Sequence, residues 1–205
     1  MPMNTSLKAI LLLWFLAMAG PAAAEGSLSD LAERATDSSV DTNVFVQASN
    51  AEVLRLLQHE PTETDLAAIP RLIDAIHRLP TDRQGAVLKL LGHLLAGSES
   101  HRPAILDTAV AALRSTSGGV RSAALEVLGR SEDSAVVPHL LASLSDPEGD
   151  VRYQALYGLS FFVDEGEHNE IFEAIAPLVT DRNESVRLMA SVIMRLRAQT
   201  EGQSR

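Results

Sequence analysis

Aspartate and arginine residues recur in this sequence at a fixed spacing, and they are the side chains best suited to recognise a charged group. Arg152 follows Asp146 by six residues, and Arg187 follows Asp181 by the same interval. A planar guanidinium can form two parallel hydrogen bonds with a carboxylate. These pairs could therefore either bind a charged ligand or connect neighbouring parts of the fold.

The sequence contains no arrangement typical of a catalytic centre. It has no cysteine, no glycine-rich phosphate loop and no G-x-S-x-G motif of a serine nucleophile. Six histidines could suggest a metal site, but no two of them have the four-residue spacing that places both ligands on one helical face. They are His59, His77, His93, His101, His139 and His168. We therefore predict no catalytic residues, no metal and no cofactor.

The segment from Asp146 to Leu159, D-P-E-G-D-V-R-Y-Q-A-L-Y-G-L, is one of several copies of a pattern. Related segments begin at Ser115 and Asp181, and a fainter one begins at Thr81. The aligned arginines of the four copies are 38, 31 and 35 residues apart, which is the period of a stacked array of helix pairs. These arginines are Arg83, Arg121, Arg152 and Arg187.

The pattern resembles the HEAT repeat family, including the short HEAT-like repeats of phycobilisome lyases, over roughly Asp65 to Gln199. The third copy is the most similar, because Val136 to Leu141, Asp146-Pro147 and Val151-Arg152 match the family's first helix, turn and second-helix start. The resemblance implies an all-α, right-handed solenoid of about four antiparallel helix pairs with a degenerate N-terminal cap. It also implies a scaffold or binding surface, since the family serves mainly in that way.

In HEAT-like repeats an arginine of this kind typically forms an inter-repeat ladder with the turn aspartate. The resemblance therefore favours a structural ladder over a ligand site. The ladder residues would be Arg121, Asp146, Arg152, Asp181 and Arg187. Because Ser115 stands where the other copies have an acid, we expect the ion pair of Arg121 to be weaker than that of Arg152.

The first residues have the layout of a secretory signal peptide. Lys8 precedes an apolar run from Ala9 to Ala19, and Ala22 to Ala24 then offer a small-residue cleavage site. The apolar run is too short to span a bilayer, which needs about 20 residues. We predict cleavage after Ala24 and a periplasmic or secreted protein without stable membrane insertion. Cleavage changes the net charge from −10 to −11, which disfavours nucleic acid as a partner.

The chain then divides into a polar linker or N-terminal cap at residues 25–49 and a HEAT-like repeat domain at residues 50–200. We expect a first helix over Ala51 to Gln58, capped by Ser49 or Asn50. Thr81 and Gln84 have the spacing of a capping box at the start of a later helix.

Aromatic residues are rare in this chain, yet several lie on one predicted helix. Tyr153, Tyr157 and Phe161 are four residues apart and share a helical face, and Leu188 and Val192 occupy the equivalent positions one copy later. Two interpretations are open: these side chains pack against the adjacent repeat, or they form an apolar strip that binds a partner.

The sequence therefore predicts an exported, non-catalytic scaffold that binds an unidentified protein of the cell envelope. The alternative is a lyase-like HEAT accessory protein that handles a chromophore or small apolar ligand in a concave groove. An optical spectrum of the purified protein would separate these two hypotheses, since a bound pigment absorbs.

Overall fold

A computed structural model describes residues 27–163 and 169–203, and every regular element in these two ranges is helical. The helices are α1 Leu28–Thr36, α2 Thr42–Gln58, α3 Glu63–Ala67, α4 Ile69–Ile76, α5 Thr81–Leu94, α6 Arg102–Ala112, α7 Gly118–Arg130, α8 Val137–Ser143, α9 Gly149–Leu159, α10 Asn169–Ile175 and α11 Glu184–Gln203. Short 3₁₀ turns cover Ser134–Val136 and Ala176–Thr180. The predicted signal peptide, residues 1–24, lies outside the described residues.

The helices form a solenoid of stacked pairs, as the resemblance implied. The second helices α2, α5, α7, α9 and α11 pack side by side in that order, and each first helix packs on the second helix of its own pair. The four predicted pairs are α4 with α5, α6 with α7, α8 with α9, and α10 with α11. The prediction of an all-α solenoid is confirmed.

Small residues allow the second helices to approach one another closely. Ala124 on α7 and Ala155 on α9 are completely buried between their neighbours. Further along the same two helices, a Cβ added to Gly129 would lie 2.7 Å from the Cα of Gly158, which leaves no room for a side chain. The backbones of α7 and α9 therefore cross at a glycine contact.

The N-terminal pair differs from its prediction. Helix α2 begins at Thr42, nine residues before the predicted start at Ala51, because the Asp41 carboxylate accepts hydrogen bonds from the N–H groups of Asn43 and Val44. Ser49 does not cap a helix; its hydroxyl donates to the carbonyl of Phe45 one turn earlier. The predicted boundary between cap and repeat domain thus falls inside a continuous helix.

Helix α1 completes this leading pair. Its start is fixed by a capping box between Ser27 and Asp30, and its apolar face is buried against α2 and α4. The buried side chains are Leu28, Leu31, Ala32 and Ala35. Residues 28–58 are therefore a helix pair that precedes the four predicted ones.

The capping box predicted at the start of α5 is wrong. Pro80 occupies the N-cap position and provides no side-chain hydrogen bond. The Gln84 amide instead donates to the carbonyl of Leu79 at 2.8 Å, and the Thr81 hydroxyl lies 3.4 Å from Asp82. The carbonyl of Pro80 accepts the first hydrogen bond of the helix, from the N–H of Gln84 at 2.9 Å, so Thr81 already lies inside the helix and cannot cap it.

Within the ranges that the structure describes, no helix is long and apolar enough to cross a membrane.

Candidate functional site

Ion pairs join the second, third and fourth helix pairs along one edge of the array. The Nε and Nη2 atoms of Arg121 donate to the two carboxylate oxygens of Asp146, both at 2.8 Å. Arg152 holds Asp181 in the same bidentate way, at 2.9 and 2.6 Å. Each arginine therefore binds the turn aspartate of the following pair.

Each of these arginines is also fixed by its own turn. The Nη1 atom of Arg152 donates to two carbonyls, six and five residues earlier, at 2.7 and 3.2 Å. The corresponding distances are 2.9 and 3.2 Å for Arg121 and 2.8 and 3.2 Å for Arg187. One side of the guanidinium thus closes the turn of its own pair, and the other side faces the next pair.

This direction corrects the expectation that Arg121 forms the weak ion pair. Arg121 does not depend on Ser115 for a counter-charge, because its carboxylate comes from Asp146 in the following pair. In the same pattern, Arg83 would pair with an aspartate in the turn of the second copy, and Ser115 occupies that position. The ladder runs between repeats, as the resemblance implied. The expectation for Arg121 was wrong because it paired this arginine with position 115 of its own copy.

Arg83 takes up a different role that the sequence did not indicate. Its Nη1 atom donates to the carbonyls of Ala35 and Asp37 at 2.9 and 3.0 Å, and its Nη2 atom donates to the carbonyl of Val40. The guanidinium also lies 5.4 Å from the centre of the Phe45 ring. Arg83 is buried and thereby connects the leading helix pair to the rest of the array.

The ladder carboxylates are held in their charged form. Hydrogen bonds from Arg152 are the largest influence on Asp181, and they lower the pKa of its carboxyl despite partial burial. Burial by itself raises the pKa of Asp146, but the bonds from Arg121 and from the N–H of Glu148 outweigh it and the net pKa is lowered. Both ion pairs therefore persist well below neutral pH.

The predicted aromatic and aliphatic positions lie at the surface of the last two pairs. Tyr153, Tyr157 and Phe161 are 37%, 38% and 41% exposed on or just after α9. On the adjacent helix α11, Leu188, Val192 and Leu196 are 61%, 51% and 53% exposed. We call these six residues the apolar strip. The rings of Tyr157 and Phe161 contact each other edge to face with their centres 5.1 Å apart.

The strip ends abruptly towards the N-terminus. At the equivalent positions of α7, Ser122 is polar, and Glu126 and Arg130 form an ion pair of 3.4 Å. On α5, in the pair before α7, Leu88 and Gly92 are buried. Among the four predicted pairs, exposed apolar side chains at these equivalent positions therefore occur only on or next to α9 and on α11.

The described histidine and acidic side chains do not gather into a metal site. Among the described residues, no group of three or more histidines, cysteines, aspartates or glutamates could hold a metal ion. His168 lies outside those residues. His93 is partly buried on α5, and burial, with smaller contributions from Arg130 and Lys89, lowers its pKa to about 4. It is therefore neutral at physiological pH.

The match to a family of known proteins agrees with this geometry. Residues 69–160 match the sequence profile of a family described as HEAT repeats. No curated protein matches the chain. Among solved structures, the chain is similar to a crystal structure titled as an engineered protein of the Northeast Structural Genomics Consortium. The sequence identity is 18% and the TM-score is 0.48, and the alignment covers 94% of this chain and 96% of that chain. By the family match, the chain contains HEAT repeats over residues 69–160, which are the first three of the four predicted pairs, and the fourth pair repeats their arginine geometry.

Proposed function

We propose that this protein is an exported, non-catalytic scaffold that binds a protein partner of the cell envelope through the apolar strip on α9 and α11. HEAT repeats generally serve as protein-interaction scaffolds. The observation that carries the proposal is the exposure of six apolar side chains in equivalent positions of two adjacent helices. Contiguous exposed apolar surface of this kind marks interaction sites in soluble proteins.

The composition of the strip supports protein recognition. Tyr153, Tyr157 and Phe161 supply large, rigid side chains, and aromatic residues are enriched among the side chains that dominate binding energy at protein interfaces. Neighbouring aliphatic residues on α11 extend the same surface without adding charge. A partner that covers both helices would remove all six side chains from water.

Export rests on the first 24 residues and has its own test. The layout of Lys8, the apolar run and Ala22 to Ala24 is that of a cleavable signal peptide. The protein isolated from its native cells should therefore have the intact mass of a chain that begins at Glu25, and it should partition with the soluble fraction. Recovery of the full-length mass with membranes would contradict this part of the proposal.

A matched pair of leucines tests the strip itself. Leu188 lies on the strip and is 61% exposed, whereas Leu57 lies at the other end of the array and is 58% exposed. Leu188→Ser and Leu57→Ser remove the same apolar side chain from similarly exposed positions, so each should change stability by about 0.5 kcal/mol or less. Only Leu188→Ser should weaken capture of envelope proteins by the tagged full-length protein expressed in its own host.

Tyr157→Ser extends the test to α9. If the ring belongs to the binding surface, this variant should lose the same captured protein as Leu188→Ser while its melting temperature stays close to that of the wild type. Glu126→Ser, on the equivalent face of α7, should retain capture. The proposal is wrong if all four variants capture the partner equally well, or if Tyr157→Ser loses capture only because it unfolds.

A further inference from the structure

Arg187 occupies the last position of the ladder. Its Nη1 atom donates to the carbonyls of Asp181 and Arg182 at 2.8 and 3.2 Å, nearly the same distances as those of Arg121 and Arg152 to their own turns. The same two anchors fix the plane of the guanidinium. The Nε and Nη2 edge of Arg187 is therefore turned to the side on which the preceding arginines each hold a carboxylate.

In Arg121 and Arg152 this edge binds both oxygens of an aspartate from the next pair. No further pair follows α11 in the described part of the chain, and no described acid bonds the Nε and Nη2 edge of Arg187. A guanidinium held in place before binding loses little conformational freedom when a carboxylate arrives. The end of the ladder is thus prepared for an acidic side chain.

The neighbouring glycines indicate what cannot supply that acid. A Cβ on Gly118 would lie 2.0 Å from the side chain of Glu148, and a Cβ on Gly149 would lie 2.3 Å from that of Asn183. In each case the glycine makes room for the turn of the next pair. Glu184 stands at the equivalent position of α11, so a stacked repeat of the same geometry would meet its side chain.

The surroundings of Arg187 favour an acidic and partly apolar partner. The next residue is Leu188, which begins the α11 part of the apolar strip. Residues 184–198 contain three arginines and one acid, within a chain whose net charge is −10. Helix α11 as a whole has three arginines and two glutamates, so it is weakly basic on an acidic protein and suits a negatively charged segment.

We propose that Arg187 is a carboxylate-binding site, which receives an aspartate or glutamate side chain from a polypeptide segment lying along α11 with its apolar side chains on Leu188, Val192 and Leu196. The inference rests on the proposed function and adds the chemistry of the partner. The carboxylate takes the place that Asp146 and Asp181 have in the two preceding rungs.

Two synthetic helical peptides test this site on the full-length protein. Both carry three leucines on one face; one has an aspartate beside the first leucine, and its twin has asparagine there. The aspartate peptide should bind the wild type about tenfold more tightly, the factor expected for a charge-assisted hydrogen bond. The NMR resonance of the Arg187 side-chain Nε–H should shift when the aspartate peptide is added and should not shift when the asparagine peptide is added.

The variants separate the two proposals. Arg187→Gln should abolish the preference between the peptides, and Arg187→Lys should reduce it because a lysine lacks the two-pronged donor geometry. Leu188→Ser should weaken both peptides equally and leave their ratio unchanged. That ratio does not depend on the folded fraction of a variant, so partial unfolding cannot imitate the result.

A preference for aspartate that survives Arg187→Gln would overturn the inference, as would failure of both peptides to bind. Concentration-dependent dimers that disappear in Arg187→Gln would also overturn it, since the acid would then come from a second copy. Failure of the proposed function gives a different result: in the capture experiment, Leu188→Ser would bind the partner as well as the wild type does.

Discussion

The ladder makes a quantitative prediction about Arg152. Its side chain and that of Asp181 are only 6% and 9% exposed, and Arg152→Ala removes both bonds between them and the two bonds to the turn carbonyls. Removing one partner of a buried ion pair costs about 3–5 kcal/mol, and losing a hydrogen bond to a charged group costs about 1.5–3 kcal/mol. Because this pair lies at the edge of the array, we expect the free energy of unfolding to decrease by about 3 kcal/mol, the value that the two ranges share.

Arg187→Ala is the matched control for this measurement. It removes the same two carbonyl bonds and no described ion pair. Because Arg187 is only partly buried, water can replace these bonds, and the variant should cost about 1 kcal/mol. The difference between the two variants, about 2 kcal/mol, isolates the contribution of the bidentate pair. For a protein of this size a loss of 3 kcal/mol corresponds to a decrease of about 6–12 °C in melting temperature.

Urea melts of the single variants and of Arg152→Ala combined with Asp181→Ala provide the assay. The double-mutant cycle should give a coupling energy above about 1 kcal/mol between the two side chains. Arg121→Ala should be nearly as destabilising as Arg152→Ala, because Arg121 holds Asp146 in the same bidentate way. Equal losses for Arg152→Ala and Arg187→Ala, or a coupling energy of zero, would refute the reasoning.

Three further outcomes follow from the same structure. Burial lowers the pKa of His93 to about 4 in the folded protein, whereas in the unfolded chain the imidazole is protonated near pH 6.5. The free energy of unfolding should therefore decrease as the pH falls from 6.5 to 4. His93→Gln should flatten the pH dependence of urea melts in that window. Gly129→Ala should destabilise the folded protein by about 1–3 kcal/mol, because the added Cβ would lie 2.7 Å from the Cα of Gly158. Gly119→Ala in the same helix is the control and should leave the melting temperature unchanged or raise it. Arg83→Ala should increase amide exchange throughout α1 and α2 in hydrogen–deuterium measurements, and Arg83→Lys should not restore protection because a lysine cannot reach the same three carbonyls in one plane.

The repeat architecture could be predicted because it is encoded locally. The arginine and the alanine of all four copies, and the valine of the last three, recur at fixed positions. Helical spacing alone identifies the face of α9 that carries Tyr153, Tyr157 and Phe161. The exposure of that face could not be predicted, because it depends on how far α11 covers α9. Sequence spacing describes one helix at a time, whereas burial depends on its neighbour.

The partners of the arginines were less predictable for the same reason. A spacing of six residues joins Arg152 to the carbonyl of Asp146, but its carboxylate partner is 29 residues away. The role of Arg83 was hidden because its acceptors are backbone carbonyls, which every residue possesses. The early start of α2 had a usable signal in Asp41, a good N-cap residue directly before Thr42.

Site-specific photo-crosslinking in the native host tests the binding surface most directly. A photoreactive phenylalanine analogue would replace Tyr157, Leu188 or Leu57 in separate experiments. If the strip on α9 and α11 binds a protein partner, positions 157 and 188 should crosslink to one common protein and position 57 should not. Crosslinking of position 57 to that same protein, or no adduct at positions 157 and 188 while the protein is folded and present, would contradict the account.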